Sequence, residues 1–126
     1  MALAIDHVVL RCSDFEQTCD FYRRVLGAEV LELEYGRRAL RLGVQQLNLH
    51  GPGSTPHPVA ARPAEAGGFD ACFVWEGSPQ EAIAHLLACG VEPELGPVPR
   101  TGARGPGTSV YFRDPDGSLL ELISYR

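Results

Sequence analysis

The chain has 126 residues, of which 44% are hydrophobic and 21% are charged. A chain of this length and composition can bury a real core, which excludes intrinsic disorder. The net charge of −5 argues against nucleic acid and anionic membrane as main partners. No apolar run reaches the roughly 18 residues that span a bilayer. The four cysteines lack Cys-x-x-Cys spacing, so we expect reduced thiols and a cytoplasmic protein.

The first half of the chain predicts one helix among four strands. A β-branched stretch at 5–11 indicates the first strand. Ser13 or Asp14 is expected to cap a helix that ends at Gly27. Three further strands are predicted from alternating or apolar patterns at 28–34, 38–42 and 46–50.

The second half repeats this order after a stretch rich in Gly and Pro at 51–68, which we interpret as a linker or a long functional loop. Ser78 and Pro79 are typical of a helix start, and Gly90 of a helix end. Asp114-Pro115-Asp116-Gly117 predicts a turn between the last two strands. The other predicted elements are a strand at 69–75, a short strand at 91–95 and a loop at 96–107 rich in Gly and Pro.

The element order β-α-β-β-β therefore occurs twice, which predicts an α+β fold built from two βαβββ modules. We expect a single domain, with module 1 at about 4–50, the linker at about 51–68 and module 2 at about 69–126. The first and last strands of each module carry a polar residue. These residues are His7 and Asn48 or His50 in module 1, and Asp70 and Glu121 in module 2.

Glu121 is the most informative of these residues because it interrupts the apolar run 119–123. Burying an unpaired carboxylate costs roughly several kcal/mol of folding free energy. A buried Glu121 would therefore need a partner, and a metal ion would be the most useful one. If the polar strands face one cavity, His7 and Asp70 would converge with Glu121, and Asn48 or His50 would add a fourth ligand. An imidazole and two carboxylates suit a divalent metal.

Each of these residues also has a structural interpretation. A single histidine in a strand is more often a hydrogen-bonded structural residue, and Asp70 alone could lie at an edge or a turn. Their matched positions in two repeats favour the metal site. Arg100 and Arg104, in the predicted loop, suit the capture of a carboxylate or phosphate. Two hydroxyl residues, Ser109 and Tyr111, share a strand face that could also meet a substrate.

Three segments together resemble the vicinal oxygen chelate superfamily, which includes glyoxalase I, fosfomycin resistance proteins and extradiol dioxygenases. They are His7 in a first strand, Phe21-Tyr22 with Leu26-Gly27 closing a helix, and Asp114-Pro115-Asp116-Gly117 leading to Glu121. Three others are similar to small, glyoxalase-like, virulence-associated proteins of bacteria. These are Leu47-Asn48-Leu49-His50, Asp70-Ala71-Cys72-Phe73 and Pro99-Arg100-Thr101-Gly102-Ala103.

The resemblance implies a U-shaped mixed sheet around a metal-binding cavity, one divalent metal ion (Zn, Ni, Mn or Fe) and a homodimer. By position, His7 matches the first ligand and Glu121 the last. The expected metal ligands are His7, His50, Asp70 and Glu121. Asp70 stands where glyoxalase I and the fosfomycin enzymes usually have histidine. Extradiol dioxygenases need two histidines and one carboxylate on iron, which this chain matches poorly.

The resulting functional prediction is a metal-dependent lyase or isomerase of the lactoylglutathione lyase type, acting on a small oxygenated substrate. Glu121 or Asp70 would move a proton between adjacent carbons. The expected substrate-binding residues are Asn48, Arg100, Arg104, Ser109 and Tyr111. Two alternatives stay open: a fosfomycin-type thiol transferase, and a non-catalytic binding protein of the bleomycin-resistance type. The second is disfavoured because such proteins typically lack His7 and Glu121 equivalents.

Overall fold

A computed structural model describes all residues from Met1 to Arg126. The helices and strands of the protein form two units, 1–69 and 70–126. The first unit contains β1 (His7–Arg11), α1 (Phe15–Leu26), β2 (Glu29–Glu32), a 3-10 turn (Glu34–Gly36), β3 (Arg38–Leu42) and β4 (Gln45–His50). The second contains β5 (Asp70–Trp75), α2 (Pro79–Ala88), β6 (Leu95–Gly102), β7 (Gly105–Arg113) and β8 (Leu119–Ser124). The predicted α+β fold of two βαβββ modules is confirmed.

Each unit has one four-stranded mixed sheet, with the strand order β1-β4-β3-β2 in the first and β5-β8-β7-β6 in the second. The first and last strands of each module are parallel neighbours, β1 with β4 and β5 with β8, and the other pairs are antiparallel. This pairing places the polar residues of the first and last strands side by side on one sheet face.

Helix α1 begins and ends at the residues that the sequence indicates. The Asp14 side chain accepts a hydrogen bond from the backbone N–H of Gln17 at 3.0 Å, which satisfies a free donor of the first turn. Gly27 closes the helix in the left-handed conformation (φ 67°). The buried side of the helix, including Tyr22 and Val25, packs on the sheet whose apolar face carries Leu40.

Helix α2 is shorter and follows the same rules. The Ser78 hydroxyl accepts a hydrogen bond from the backbone N–H of Glu81 at 3.2 Å, and Pro79 occupies the first helical position. Ala82 and Leu86 are buried against β7 and β8, whose apolar face includes Phe112. Neither helix is long or apolar enough to cross a membrane. The four cysteines form no disulfide.

One prediction about the second unit is wrong. The region 96–107 is a β-hairpin rather than a loop, and the strand predicted at 91–95 lies later in the chain, at Leu95–Gly102. Proline is tolerated in β6 because this strand lies at the sheet edge. No strand pairs with its outer side, so a missing backbone N–H there removes no hydrogen bond between strands. Gly96, at φ 119°, sits where a Cβ would come 2.5 Å from the carbonyl oxygen of Ser109, so the hairpin requires glycine there.

The predicted turn before β8 is confirmed and positions the strand that carries Glu121. One carboxylate oxygen of Asp114 accepts hydrogen bonds from the backbone N–H groups of Asp116 (3.0 Å) and Ser118 (2.9 Å). Gly117 adopts φ 91°, in the left-handed region that favours glycine. The side chain therefore fixes the chain reversal through which β8 pairs with both β5 and β7.

Candidate functional site

Four side chains are neighbours on one face of the second sheet, and we name them the Glu121 row: Cys72, Glu121, Tyr111 and Arg100. The first three are aligned by strand register, whereas Arg100 lies opposite Gly107 and reaches Tyr111 through its side chain. Cys72 on β5 is the register partner of Glu121 on β8, and Glu121 is the register partner of Tyr111 on β7. Arg100 on β6 donates a hydrogen bond from Nε to the Tyr111 hydroxyl at 2.8 Å. The sheet pairing thus assembles a thiol, a carboxylate, a phenol and a guanidinium.

Glu121 is partly exposed on this face and not buried as its apolar run predicts, because it points away from the core that holds Leu120 and Leu122. No cationic side chain pairs with its carboxylate. Its neighbour on β5 is the Cys72 thiol, which is exposed. Desolvation and the charge and hydrogen bonding of Glu121 raise the pKa of Cys72 to about 12. The thiol therefore stays protonated at neutral pH.

Arg100 contributes the guanidinium of the row. Its guanidinium carbon lies 5.4 Å from the centre of the Tyr111 ring, and Nη1 donates to the carbonyl oxygen of Pro99 at 2.8 Å. These contacts hold the side chain in place, and no carboxylate forms an ion pair with it. An ordered guanidinium without a carboxylate partner can bind an oxyanion through its remaining donors.

The other predicted residues of this unit lie at different positions. Arg104 lies in the turn between β6 and β7, where its guanidinium is 3.9 Å from the Glu76 carboxylate and 5.7 Å from the Tyr125 ring centre. Ser109 is fully buried on the same sheet face as Tyr111, and its hydroxyl has no hydrogen-bond partner. Asp70 is exposed at the start of β5, one pleat from Cys72 on the same face.

The corresponding face of the first sheet carries His7, Asn48 and His50. The His7 ring pairs through Nδ1 with the Asp6 carboxylate at 2.8 Å, which leaves Nε2 without a partner. A carboxylate in this position fixes the tautomer of metal-binding histidines. The Asn48 carbonyl oxygen instead accepts from the Gln46 side chain at 2.7 Å.

His50 is the register partner of Arg11 on the neighbouring strand. Desolvation and the Arg11 charge lower the pKa of His50. The neutral imidazole that results is the metal-binding form. The same guanidinium would, however, repel a divalent cation placed on this ring.

Residues 4–122 match the Glyoxalase/Bleomycin resistance protein/Dioxygenase superfamily. The chain belongs to this superfamily. Within it, the chain is 46% identical to glyoxalase domain-containing protein RDO1 of Mycosarcoma maydis, over 98% of this chain and 69% of that protein. It is 40% identical to virulence protein STM3117 of Salmonella typhimurium, over 96% of this chain and 83% of that protein. The resemblance inferred from the sequence is confirmed.

Solved structures of superfamily members share the fold. The crystal structure of STM3117 matches with a TM-score of 0.93 and 39% identity, over 100% of this chain and 99% of that chain. Lactoylglutathione lyase from Agrobacterium tumefaciens matches with a TM-score of 0.72 and 25% identity, over 97% and 93%. A mutant of the fosfomycin resistance protein FosX from Listeria monocytogenes, complexed with Mn(II) and 1S,2S-dihydroxypropylphosphonic acid, matches with a TM-score of 0.65 and 21% identity, over 98% and 90%.

A divalent metal fits the donor types of this superfamily member only in part. No group of three or more His, Cys, Asp or Glu side chains is arranged to hold a metal ion. Two donors nevertheless suit a divalent cation: the Nε2 of His7, and the Glu121 carboxylate, which has no cationic partner. The whole predicted ligand set of His7, His50, Asp70 and Glu121 stays a prediction.

Two residues that lie beside the predicted ligands were not predicted from the sequence to belong to the site. Cys72 touches Glu121 because β5 and β8 are parallel neighbours in one particular register. Asp6 pairs with His7 although period two puts the two residues on opposite strand faces; Asp6 lies just before β1 begins. An acidic residue adjacent to a candidate histidine ligand was the available signal for Asp6. No local signal marks Cys72.

Proposed function

We propose that this superfamily member is a metal-dependent lyase or isomerase of the lactoylglutathione lyase type, whose substrate is small, oxygenated and anionic. The observation that carries the proposal is the Glu121 row: a carboxylate without a cationic partner lies two strands from a guanidinium without a carboxylate partner. A bound divalent metal would polarise neighbouring substrate oxygens and stabilise negative charge on them. His7 and Glu121 are the candidate ligands, with His50 and Asp70 as further donors.

Glu121 is the proton carrier in this proposal. A carboxylate that takes a proton from one carbon and returns it to the next performs the isomerisation step. The Cys72 thiol lies beside this carboxylate on β5, stays protonated at neutral pH and is not a nucleophile. Asp70, one pleat away on β5, is the second carboxylate that could move this proton.

Tyr111 and Arg100 bind and orient the substrate. The Tyr111 oxygen accepts the Arg100 hydrogen bond, so its own O–H is available to a substrate oxygen or to Glu121. The Arg100 donors that remain bind the anionic end. Asn48, Ser109 and Arg104 stay predicted substrate-binding residues, and the homodimer stays a predicted assembly.

A metal and substrate screen tests the proposal. Protein purified without a metal-affinity tag is loaded with Mn, Ni, Zn or Fe and assayed with thiol adducts of methylglyoxal. We expect turnover that depends on metal, and a loss of about a hundredfold or more in kcat for Glu121→Gln. Glu92→Gln, an exposed carboxylate with no partner, is the matched control. A thermal midpoint that ignores all four metals, or full activity of Glu121→Gln, contradicts the proposal.

A fosfomycin-type thiol transferase is the second candidate, favoured by Arg100 alone. An arginine held against a tyrosine ring suits the two charges of a phosphonate. Incubation with fosfomycin and a thiol, followed by mass analysis for the ring-opened adduct, separates the two enzymes. A non-catalytic protein of the bleomycin-resistance type would bind ligand without turnover in either assay.

A further inference from the structure

The first unit contains a cavity of about 360 Å³ that none of the residues in the Glu121 row lines. Its walls are the 3-10 turn with Arg37 and the segment 52–56, and Phe15 contributes an aromatic side chain. Leu49 and His50, at the end of β4, complete the lining. The volume lies within the range of small-molecule sites.

Phe15 is held in place from two sides. The Arg38 guanidinium lies 5.3 Å from the ring centre. A Cβ on Gly51 would come 2.8 Å from the ring, so the backbone approaches it as closely as glycine allows. Gly51 is fixed in turn by Ser54, whose hydroxyl accepts from the Gly51 N–H at 2.9 Å. This wall of the cavity is therefore preformed.

Tyr35 stands at the opposite rim in a costly conformation. Its backbone is left-handed (φ 61°, ψ 32°), which is uncommon for a bulky residue. Its side chain is 93% exposed and gains no packing that offsets the strain. Glycine would occupy this position without penalty, as Gly36 does next to it at φ 72°. An exposed aromatic ring held under strain at the rim of a cavity points to a ligand that covers the ring.

Arg37 supplies the charge of the cavity. Its Nε donates to the carbonyl oxygen of Glu34 at 3.1 Å, and no carboxylate pairs with it. The next residue, Arg38, is by contrast neutralised by Glu16 at 2.6 Å. The turn that carries Arg37 is closed by the Leu33 N–H donating to the Arg37 carbonyl oxygen at 2.7 Å. The two terminal nitrogens of the Arg37 guanidinium can therefore each donate a hydrogen bond to one oxygen of the same carboxylate.

We propose that this cavity binds a small aromatic carboxylate, with the ring against Phe15 and Tyr35 and the carboxylate on Arg37. The cavity shares one lining residue, His50, with the predicted metal ligands, but the proposal needs neither metal nor turnover. This ligand accounts for three features of the cavity. It would cover the strained, exposed ring of Tyr35, pack against the fixed ring of Phe15 and neutralise the charge of Arg37.

Titration of the full chain with benzoate tests the proposal, followed by backbone amide shifts in two-dimensional NMR. We expect saturable shifts at Gly36, Ser54 and Thr55. Benzamide, the neutral counterpart of benzoate, should bind about tenfold more weakly or worse. Absence of saturable shifts at these amides, or equal binding of benzamide, overturns the proposal.

Two variants and a control separate binding from structure. Arg37→Ala should weaken benzoate about tenfold. Tyr35→Gly should weaken benzoate several-fold while the thermal midpoint stays unchanged or rises, because glycine relieves the left-handed strain. Arg62→Ala, an exposed arginine of the same unit outside the cavity, should bind as the unmodified chain does. Unchanged benzoate binding by Tyr35→Gly would show that the Tyr35 ring does not contact the ligand. A clear fall in the thermal midpoint of this variant would show that Tyr35 has a structural role instead.

Discussion

The two sheets of the protein share a strand order and a pairing pattern, yet their polar faces carry different chemistry. On the first sheet, the Asn48 side-chain oxygen accepts from the Gln46 side chain, the His7 ring pairs with Asp6, and His50 lies beside Arg11. On the second, the two charged residues of the Glu121 row, Glu121 and Arg100, have no ion-pair partners. The same topology therefore carries two imidazoles and an amide on one polar face, and an unpaired carboxylate and guanidinium on the other.

The reason lies in the opposite faces of the sheets. Each helix buries an apolar stripe, and the strand residues beneath it must be apolar and close-packed. Leu40 in the first unit and Phe112 in the second are fully buried for this reason. Polar residues on the other face of each sheet are not desolvated in this way, because partly exposed polar groups keep access to water. The fold can therefore stay the same while the polar residues differ.

The largest expected effect concerns the shared apolar layer. Phe112→Ala should lower the free energy of unfolding by about 3–5 kcal/mol and Leu40→Ala by about 2–5 kcal/mol, because each leaves a cavity in a packed core. Val44→Ala, at a side chain that is 97% exposed, should change it by about 0.5 kcal/mol at most. Urea unfolding measures all three. A Leu40→Ala cost as small as that of the control would show that the two cores are not equivalent.

Arg100→Ala sharpens the contrast between the polar faces. Loss of a charge-assisted contact with the anionic end of the substrate should raise KM about tenfold, with a smaller change in kcat. Arg41→Ala removes a comparable arginine from the first sheet, where Nη2 donates to Gln46 at 3.4 Å, and should change KM less than about twofold. Steady-state kinetics on the substrate found in the thiol-adduct screen measures both. Equal effects would remove the distinction between the faces.

The two helix caps should behave alike. Asp14→Ala and Ser78→Ala should each lower the free energy of unfolding by about 1 kcal/mol, because each leaves a first-turn N–H without its acceptor. Asp14→Asn and Ser78→Thr keep a capping oxygen and serve as controls. Denaturant unfolding of the four variants is the measurement, and an alanine variant as stable as its control would contradict the cap assignment.

The smallest effect is a pH dependence at two carboxylates, Glu94 and Asp20, that form exposed ion pairs. Hydrogen bonding from Arg113 lowers the pKa of Glu94, and hydrogen bonding from Arg24, then Arg23, lowers that of Asp20. A lowered pKa in the folded state means that the stabilisation is present above the unfolded-state pKa and is lost as pH falls through the folded value.

The thermal midpoints of Glu94→Gln and Asp20→Asn should therefore lie slightly below that of the unmodified chain at neutral pH. The differences should disappear as the pH falls through the lowered folded-state pKa of each carboxylate, and they should shrink in high salt. A difference that grows with acidification would reverse the assigned sign.

Sequence alone predicted the features that depend on neighbouring residues. The caps at Asp14 and Ser78, the helix stop at Gly27 and the turn at 114–117 all follow from local backbone chemistry, and the structure contains each of them. The alternating strands and the repeated element order followed from side-chain periodicity. The identity of Glu121 as an unusual carboxylate was likewise visible, because it interrupts an apolar strand.

Tertiary structure decided the features that depend on pairing between distant segments. The composition of 96–107 predicts a loop, and only pairing with β7 at the sheet edge makes β6 a strand. The same pairing brings Arg100 to Tyr111, and the parallel register of β5 and β8 brings Cys72 to Glu121. Strand register is set by the packing of whole faces rather than by local preference. The sequence therefore marked the carboxylate, and only the register of the sheet determined its neighbours.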